Sequence, residues 1–240
     1  MSSENRISFT KKNLDTYLKE LAKEYRHLGG KGMPAELVLI GGASVLVNYG
    51  FREMTTDIDA VIQAASIMKD AINHVGDKLG LPNGWLNEDF KRTDSYTPKL
   101  VQYSKYYKQF YGVMTVRTIS SEYLIAMKLK AGRQYKNDLS DIIGILAEQQ
   151  KAGDPITKEM IHKAVEDLYD DWRNIPESAR VFIDDVISNG DYESIREEVV
   201  SEEKSIKNIL VNFEDKYPDA ANKDNVESII AMLKQKAGKE

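Results

Sequence analysis

The stretch Leu37-Val38-Leu39-Ile40-Gly41-Gly42-Ala43-Ser44, followed downstream by Asp57-Ile58-Asp59, decides the fold. Glu36 to Ile40 is a short apolar run closed by two glycines, the pattern of a buried strand. Ala43 to Tyr49 follows as a short helix closed by Gly50. Fourteen residues separate Gly42 from Asp57, room for that helix and a return into the sheet. The strand Glu36–Ile40 is therefore predicted to pair directly with a strand over Thr56–Ile62. Alternate side chains of a strand share a face, so Asp57 and Asp59 point one way and Ile58 points into the core.

Two parallel carboxylates at a sheet end can hold Mg²⁺, or Mn²⁺ in its place. Mg²⁺ prefers hard oxygen ligands and completes its shell with water and substrate phosphates. Gly41 and Gly42 end a strand and open a helix, where backbone N–H groups and the helix N-terminus favour a phosphate. Ser44 lies in the same segment, so the expected cleft opens beside Gly42 and Ser44. Such a set can hold a nucleoside triphosphate and its metal against an attacking hydroxyl. A lone Asp-x-Asp also occurs at solvated strand ends, so the weight rests on the ordered set rather than on any one piece.

Outward from this segment, residues 9–27 read as an amphipathic helix, with Leu14, Leu18, Leu21 and Tyr25 at helical spacing. Ser66–Leu79 reads as a second helix packed on the sheet. Pro82–Pro98 is irregular and contains Gly84-Trp85-Leu86-Asn87-Glu88-Asp89-Phe90. Leu100–Tyr107 and Phe110–Ile119 read as a hairpin. Ser120 is a plausible N-cap for a helix to about Arg133, and another helix runs from Asn137 or Asp138 to about Gln150. Lys151-Ala152-Gly153-Asp154-Pro155 is the best boundary in the chain, and everything beyond it reads as helices. The expected organisation is an α/β domain over 1–150, with a small mixed sheet flanked by helices, and a helical region over 151–240.

Composition narrows the chemistry. The chain has 240 residues and no cysteine, which excludes disulfides and thiolate zinc sites and fits a cytoplasmic setting. His27, His74 and His162 are scattered, so a histidine metal site is not expected. No apolar run is long enough to span a bilayer, and MSSENRISFTKKN does not read as a signal peptide. The net charge of -5 hides a polarity: between Lys91 and Lys136 ten basic residues meet only Asp94 and Glu122. A basic middle and an acidic tail suggest a positive surface for an anion. The run Tyr96, Tyr103, Tyr106, Tyr107 and Tyr111, mixed with lysines, could stack on RNA, but a hairpin with one aromatic face on the core explains it more simply.

Taken together, the apolar strand, Gly-Gly, short helix and Asp-Ile-Asp strand resemble the nucleotidyltransferase (DNA polymerase beta-like) superfamily. Arg52, Thr55 and Thr56 just before Asp57 look closest to its AbiEii-type bacterial branch, which includes toxins of toxin–antitoxin systems. Ser121-Glu122-Tyr123-Leu124-Ile125-Ala126-Met127-Lys128-Leu129 is similar to that branch's helix with an inward lysine. Arg133 and Asp138-Leu139-Ser140-Asp141-Ile142 resemble its next motif. The resemblance covers roughly residues 35–150. It implies an NTP-using enzyme dependent on Mg²⁺, with an RNA end (tRNA-like), a protein or a small molecule as acceptor, and an antitoxin as a partner.

The candidate residues follow. Asp57 and Asp59 are expected to bind metal. Gly41, Gly42, Ser44, Lys128 and Arg133 are expected at the nucleotide, and Lys128 is also a candidate for catalysis. Lys128 has two readings, a lysine that reaches phosphate oxygens or one that snorkels at the core margin. The first predicts its ammonium beside Asp57 and Asp59. Arg133 has the plainer reading of a cation at a helix end. Asp141 reads as a helix cap, while Asp138 stays open between a cap and a partner for Lys128 or Arg133. Active polymerase-like members add a third carboxylate from a later strand. The strands read over Leu100–Tyr107 and Phe110–Ile119 carry none, and only Glu88 and Asp89 lie nearby. Asn87, Asp89 and Asp138 are therefore candidates for the rim. An inactive NTP-binding module and a partner-docking protein of the same fold are the alternatives.

Overall fold

Thr10 starts the first helix by a capping box: its side chain accepts from the Asn13 N–H while Asn13 accepts from the Thr10 N–H. This helix, α1 (Lys11–His27), turns Leu14, Leu18, Leu21 and Tyr25 inward. A computed structural model of the chain describes residues 8–133, 136–222 and 225–237. The chain continues through β1 (Ala35–Leu39), α2 (Gly41–Asn48), β2 (Ile58–Gln63), α3 (Ile67–Leu79) and β3 (Leu86–Asn87). Next come β4 (Ser104–Phe110), β5 (Met114–Ile119), α4 (Ser121–Ala131) and α5 (Asp138–Lys151). The rest is α6 (Lys158–Tyr169), α7 (Glu177–Asn189), α8 (Tyr192–Lys216) and α9 (Val226–Ala237).

The five strands form one mixed sheet in the order β3-β2-β1-β5-β4. As expected, β1 pairs directly with β2, antiparallel, with Leu39 opposite Ala60. On its other side β1 pairs in parallel with β5. Strand alternation then divides the core. Leu37, Leu39, Ile58 and Ala60 pack with α1 and α3 on one face. Val38, Ile40 and Val61 face the other way, where α4, α5, α6 and α7 cover the sheet. Asp59, between Ile58 and Ala60, is on this second face.

Two local readings are corrected. Pro98–Tyr103 is a 3-10 helix, and the hairpin begins only at Ser104. Thr97 starts that helix by accepting from the Lys99 N–H, and Pro98 suits its first turn. The irregular Pro82–Pro98 stretch contains β3, which pairs in parallel with β2 and sets Asn87 opposite Asp59. Buried Trp85 anchors it, donating its indole N–H to the Ile72 carbonyl at 3.0 Å. Ser120 does occupy the N-cap position of α4, but its hydroxyl donates to the Tyr103 carbonyl rather than capping. The tyrosines disperse: Tyr103 stacks on Tyr123, Tyr107 bonds to Asp15, and Tyr106 is exposed.

Residue 150 marks a change from mixed to all-helical structure, yet the core does not break there. Ile125 and Leu129 of α4 share one apolar cluster with Ile161 and Leu168 of α6 and Ile183 of α7. Such a cluster cannot stay intact once the apolar side chains of α6 and α7 are replaced by water. A chain ending at Gly153 is therefore expected to lose its cooperative thermal transition and to bind a hydrophobic dye. A sharp transition near that of the full chain would show that the later helices are dispensable to the core.

Candidate active site

Gly41 sits at φ +54°, the left-handed region that favours glycine, and this turns the end of β1 into α2. The Ile40 N–H donates to the Asp59 carbonyl at 2.9 Å, locking the turn to β2. A Cβ on Gly41 would come 3.8 Å from the Asp59 carboxylate. Helix α2 has no side-chain cap, so the Gly-Gly turn presents its first N–H groups beside Asp59. At Gly42 the demand differs from the one expected from sequence. A Cβ there would lie 2.6 Å from Thr55 Oγ1 and 2.9 Å from Arg52 Nη2. Gly42 is thus required for two side chains to close over the helix start.

Asp57 precedes the first residue of β2 and is exposed, while Asp59 is half-buried. Thr55 donates weakly to Asp57 Oδ1 at 3.4 Å. No ion pair to either carboxylate occurs among the described residues. Burial, and then the charge of Asp57, push the Asp59 carboxyl up to about 6, against partial relief from Arg133 and Lys136. Asp89, across the β2–β3 pair, adds repulsion. Two close carboxylates without a bonded cation, one of them desolvated, are a donor set that a divalent cation fits. No group of three or more potential ligands is present among the described residues.

The basic wall is organised by a buried chain of alternating charge. Arg52 is bonded to Asp141. Asp141 also accepts from Lys128 at 2.8 Å, Lys128 donates to Asp138 at 2.9 Å, and Asp138 accepts from Arg133 at 2.8 Å. Lys128, Asp138 and Asp141 are each 4% exposed at the side chain, whereas Arg133 is 39% exposed. Burial favours neutral Lys128 and neutral Asp138, but the opposite charges outweigh it. The ammonium ends up raised and the Asp138 carboxyl lowered. Both ends of the chain are arginines on the side of the Gly-Gly turn and the carboxylates: Arg52 beside Gly42, and Arg133 within electrostatic reach of Asp59.

Three sequence expectations are therefore corrected. Lys128 does not place its ammonium on Asp57 or Asp59. Helix α4 is buried from Leu124 to Leu129 on all sides, and the aspartates that open α5 supply the nearest counter-charge. Asp141 is a partner of Lys128 and Arg52 rather than a cap, since Asn137 holds the N-cap position. Ser44 is fully buried, and its hydroxyl accepts from the Ile119 N–H at 3.2 Å, which removes it from the cleft. Asp138 holds both Lys128 and Arg133, resolving the alternatives left open for it. Asn87 reaches the rim, although its side chain is engaged locally with the Gly84 carbonyl and the Asp89 N–H. Arg52 acquires its importance only in three dimensions, where its pairing with Asp141 spans 89 positions of sequence.

Two outcomes are expected. Asp59 is pushed up to about 6 from its ordinary value of 3.8, so the folded state holds the extra proton between these values. Stability should fall as pH rises from about 4 to 6 and then level off. Asp59→Asn should stabilise the metal-free protein at pH 7.5 by at most about 3 kcal/mol and flatten that slope in chemical denaturation. An unchanged pH profile would remove the buried-carboxylate assignment. Lys128→Ala removes the cation shared by two buried aspartates, leaving each with one arginine, and should cost about 3–5 kcal/mol in the same measurement. A loss under about 1 kcal/mol would mean that the lysine is peripheral.

The nucleotidyltransferase family of unknown function (DUF6036) matches residues 16–175, from α1 through α6. That is 160 of the 240 residues, and the chain belongs to this family. No curated protein and no solved structure matches the chain. No described helix is long and apolar enough to cross a membrane.

Proposed function

We propose that this member of the nucleotidyltransferase family transfers a nucleotidyl group from an NTP to a hydroxyl, with Asp57 and Asp59 as ligands of a Mg²⁺ or Mn²⁺ ion. The observation that carries the reading is the pair of carboxylates without a bonded cation, set opposite a wall that ends in Arg52 and Arg133. The ion, when bound, neutralises phosphate charge and fixes phosphate orientation. The protein supplies the remainder. The uncapped start of α2 at Gly41 and Gly42 offers N–H groups to a phosphate. Arg133, aligned by Asp138, approaches the same anion from α4's end. In the transfer, the acceptor oxygen bonds to the α-phosphorus, the bond to pyrophosphate breaks, and the acceptor proton leaves. Asp89, on the exposed rim beside Asp59, is the carboxylate best placed to take that proton. Lys128 acts here as a positioning residue, holding the aspartates that aim the two arginines.

The resemblance to the AbiEii-type branch supports an RNA end as the acceptor, an antitoxin as a partner and growth inhibition as the physiological outcome. A second reading, an NTP-binding module without turnover, is favoured by one observation: among the described residues no third metal-binding carboxylate joins Asp57 and Asp59, and β4 and β5 supply none.

The deciding experiment incubates the protein with each α-labelled NTP, Mg²⁺ and total RNA, and follows the label. The wild type should label an acceptor, and Asp57→Ala/Asp59→Ala should not while remaining folded. Label equal in both proteins would refute the assignment. Binding without label would select the second reading. Because Asp59 titrates near 6, the thermal shift induced by Mn²⁺ should shrink as pH falls below about 6. A shift that is independent of pH from 5 to 8 would place the ion elsewhere.

A further inference from the structure

Helix α8 lies against α5 and reaches its first turn through two residues one turn apart. Glu203 is 4% exposed, although it is a carboxylate on a helix otherwise rich in solvated charge. Its Oε1 accepts from the Ser140 N–H at 3.2 Å and its Oε2 from the Ser140 hydroxyl at 2.5 Å. A carboxylate from one helix thus caps the N-terminus of another, where unpaired N–H groups favour negative charge. The cap fixes α8 against the residues that hold Lys128 and Arg133.

One turn on, Lys207 donates to Asn137 Oδ1 at 2.7 Å. Asn137 immediately precedes Asp138, and Asp141, the partner of Arg52, lies one turn further along α5. Lys207 therefore stands on the same end of α5 as the alternating charge chain. Its ammonium is lowered by burial, then by repulsion from Arg52 and Lys136, with Glu203 and Asp141 opposing. Arg52, which pairs with Asp141 on this end of α5, closes over Gly42, and the neighbouring Gly41 lies against the Asp59 carboxylate, so the start of α5 and Asp59 flank the same Gly-Gly turn. Five cations meet here, Arg52, Lys128, Arg133, Lys136 and Lys207. They face three carboxylates, Asp138, Asp141 and Glu203. On the α5 side of the Gly-Gly turn this is a positive excess, with Asp57 and Asp59 on the other side of it, and it is built from three separate segments of the chain. Mutual repulsion of this kind is relieved by an anionic ligand, and an ammonium with three donors keeps hydrogen-bonding capacity beyond Asn137.

We infer that Lys207 of α8 binds the β- and γ-phosphates of the NTP, so that the C-terminal helix forms part of the active site. This rests on the nucleotidyltransferase reading above. The α-phosphate would lie toward Asp57, Asp59 and the Gly-Gly turn. The outer phosphates would extend toward Arg52, Lys136 and Lys207. A nucleoside monophosphate lacks the outer phosphates and would not sense Lys207.

The test is titration calorimetry of the full chain with each NTP and its monophosphate, in Mn²⁺, for four proteins. Lys207→Ala should weaken the NTP that the wild type binds by about tenfold or more and leave the monophosphate unchanged. Lys207→Arg should restore most of the affinity. Lys207→Gln keeps a donor for Asn137 without the charge, and should behave like the alanine variant. Thermal melting of each variant should stay near that of the wild type. If the glutamine or alanine variant binds NTP as tightly as the wild type, Lys207 only ties α8 to α5 and the inference fails, while the nucleotidyltransferase reading stands. Equal weakening for NTP and monophosphate also overturns it, because the loss then reflects a disturbed site. If the wild type binds no NTP in Mn²⁺, the nucleotidyltransferase reading fails first and this inference falls with it.

Discussion

The buried chain Arg52–Asp141–Lys128–Asp138–Arg133 is the constraint on which the site depends. It joins the loop after α2, the interior of α4, the first turn of α5 and the end of α4. Isolated charges at this depth would be very costly, and a buried ion pair seldom stabilises more than a well-packed apolar pair would. Its value here is geometric. Each aspartate is shared by two cations, so neither arginine can move without disturbing Lys128. The outcome is a pair of fixed guanidinium groups, Arg52 beside Gly42 and Arg133 within electrostatic reach of Asp59.

The pair Asp57 and Asp59 is left uncompensated. Asp59 sits half-buried beside Asp57, and its carboxyl is shifted upward as a consequence. A fold selected only for stability would neutralise this position, and Arg133 is close enough to have been recruited for it. Asp138 holds Arg133 back instead. The same molecule thus satisfies one set of buried aspartates fully and leaves another pair short of cations. This contrast is the electrostatic pattern of a ligand site, because a cation can supply the missing positive charge while the two arginines face an anion.

The later helices cannot be separated from this arrangement. α6 and α7 complete the core on the face of the sheet that carries Asp59. α8 secures the loop after α2 as well as α5: Arg196 lies 4.9 Å over the Phe51 ring, next to Arg52. Glu148 of α5 accepts from the Gly50 and Phe51 N–H groups, so that loop is held from two helices. The family match ends at residue 175, before α7 and α8, while the packing around the cleft runs on through α8.

By itself, the sequence determined the parts that depend on local periodicity and on short-range chain geometry. An apolar run before Gly41-Gly42 had to be a buried strand, and the short return to Asp57 had to place its partner alongside. Alternation then put Ile58 inside and Asp59 on the opposite face. The helix carrying Lys128 was legible from its apolar residues, and the basic middle of the chain from its charge count. β3 was not, because two residues carry no period. The partner of Lys128 was not legible either. A buried ammonium demands a carboxylate, but the sequence offers several, and which is nearest depends on how α5 packs against α4. Ser44 looked like a cleft residue until the β1–β5 pairing set the Ile119 N–H against its hydroxyl. Arg52 and Lys207 gained their places only from contacts across 89 and 70 positions of chain. Charge acts through space, and only the tertiary structure decides which charges share it.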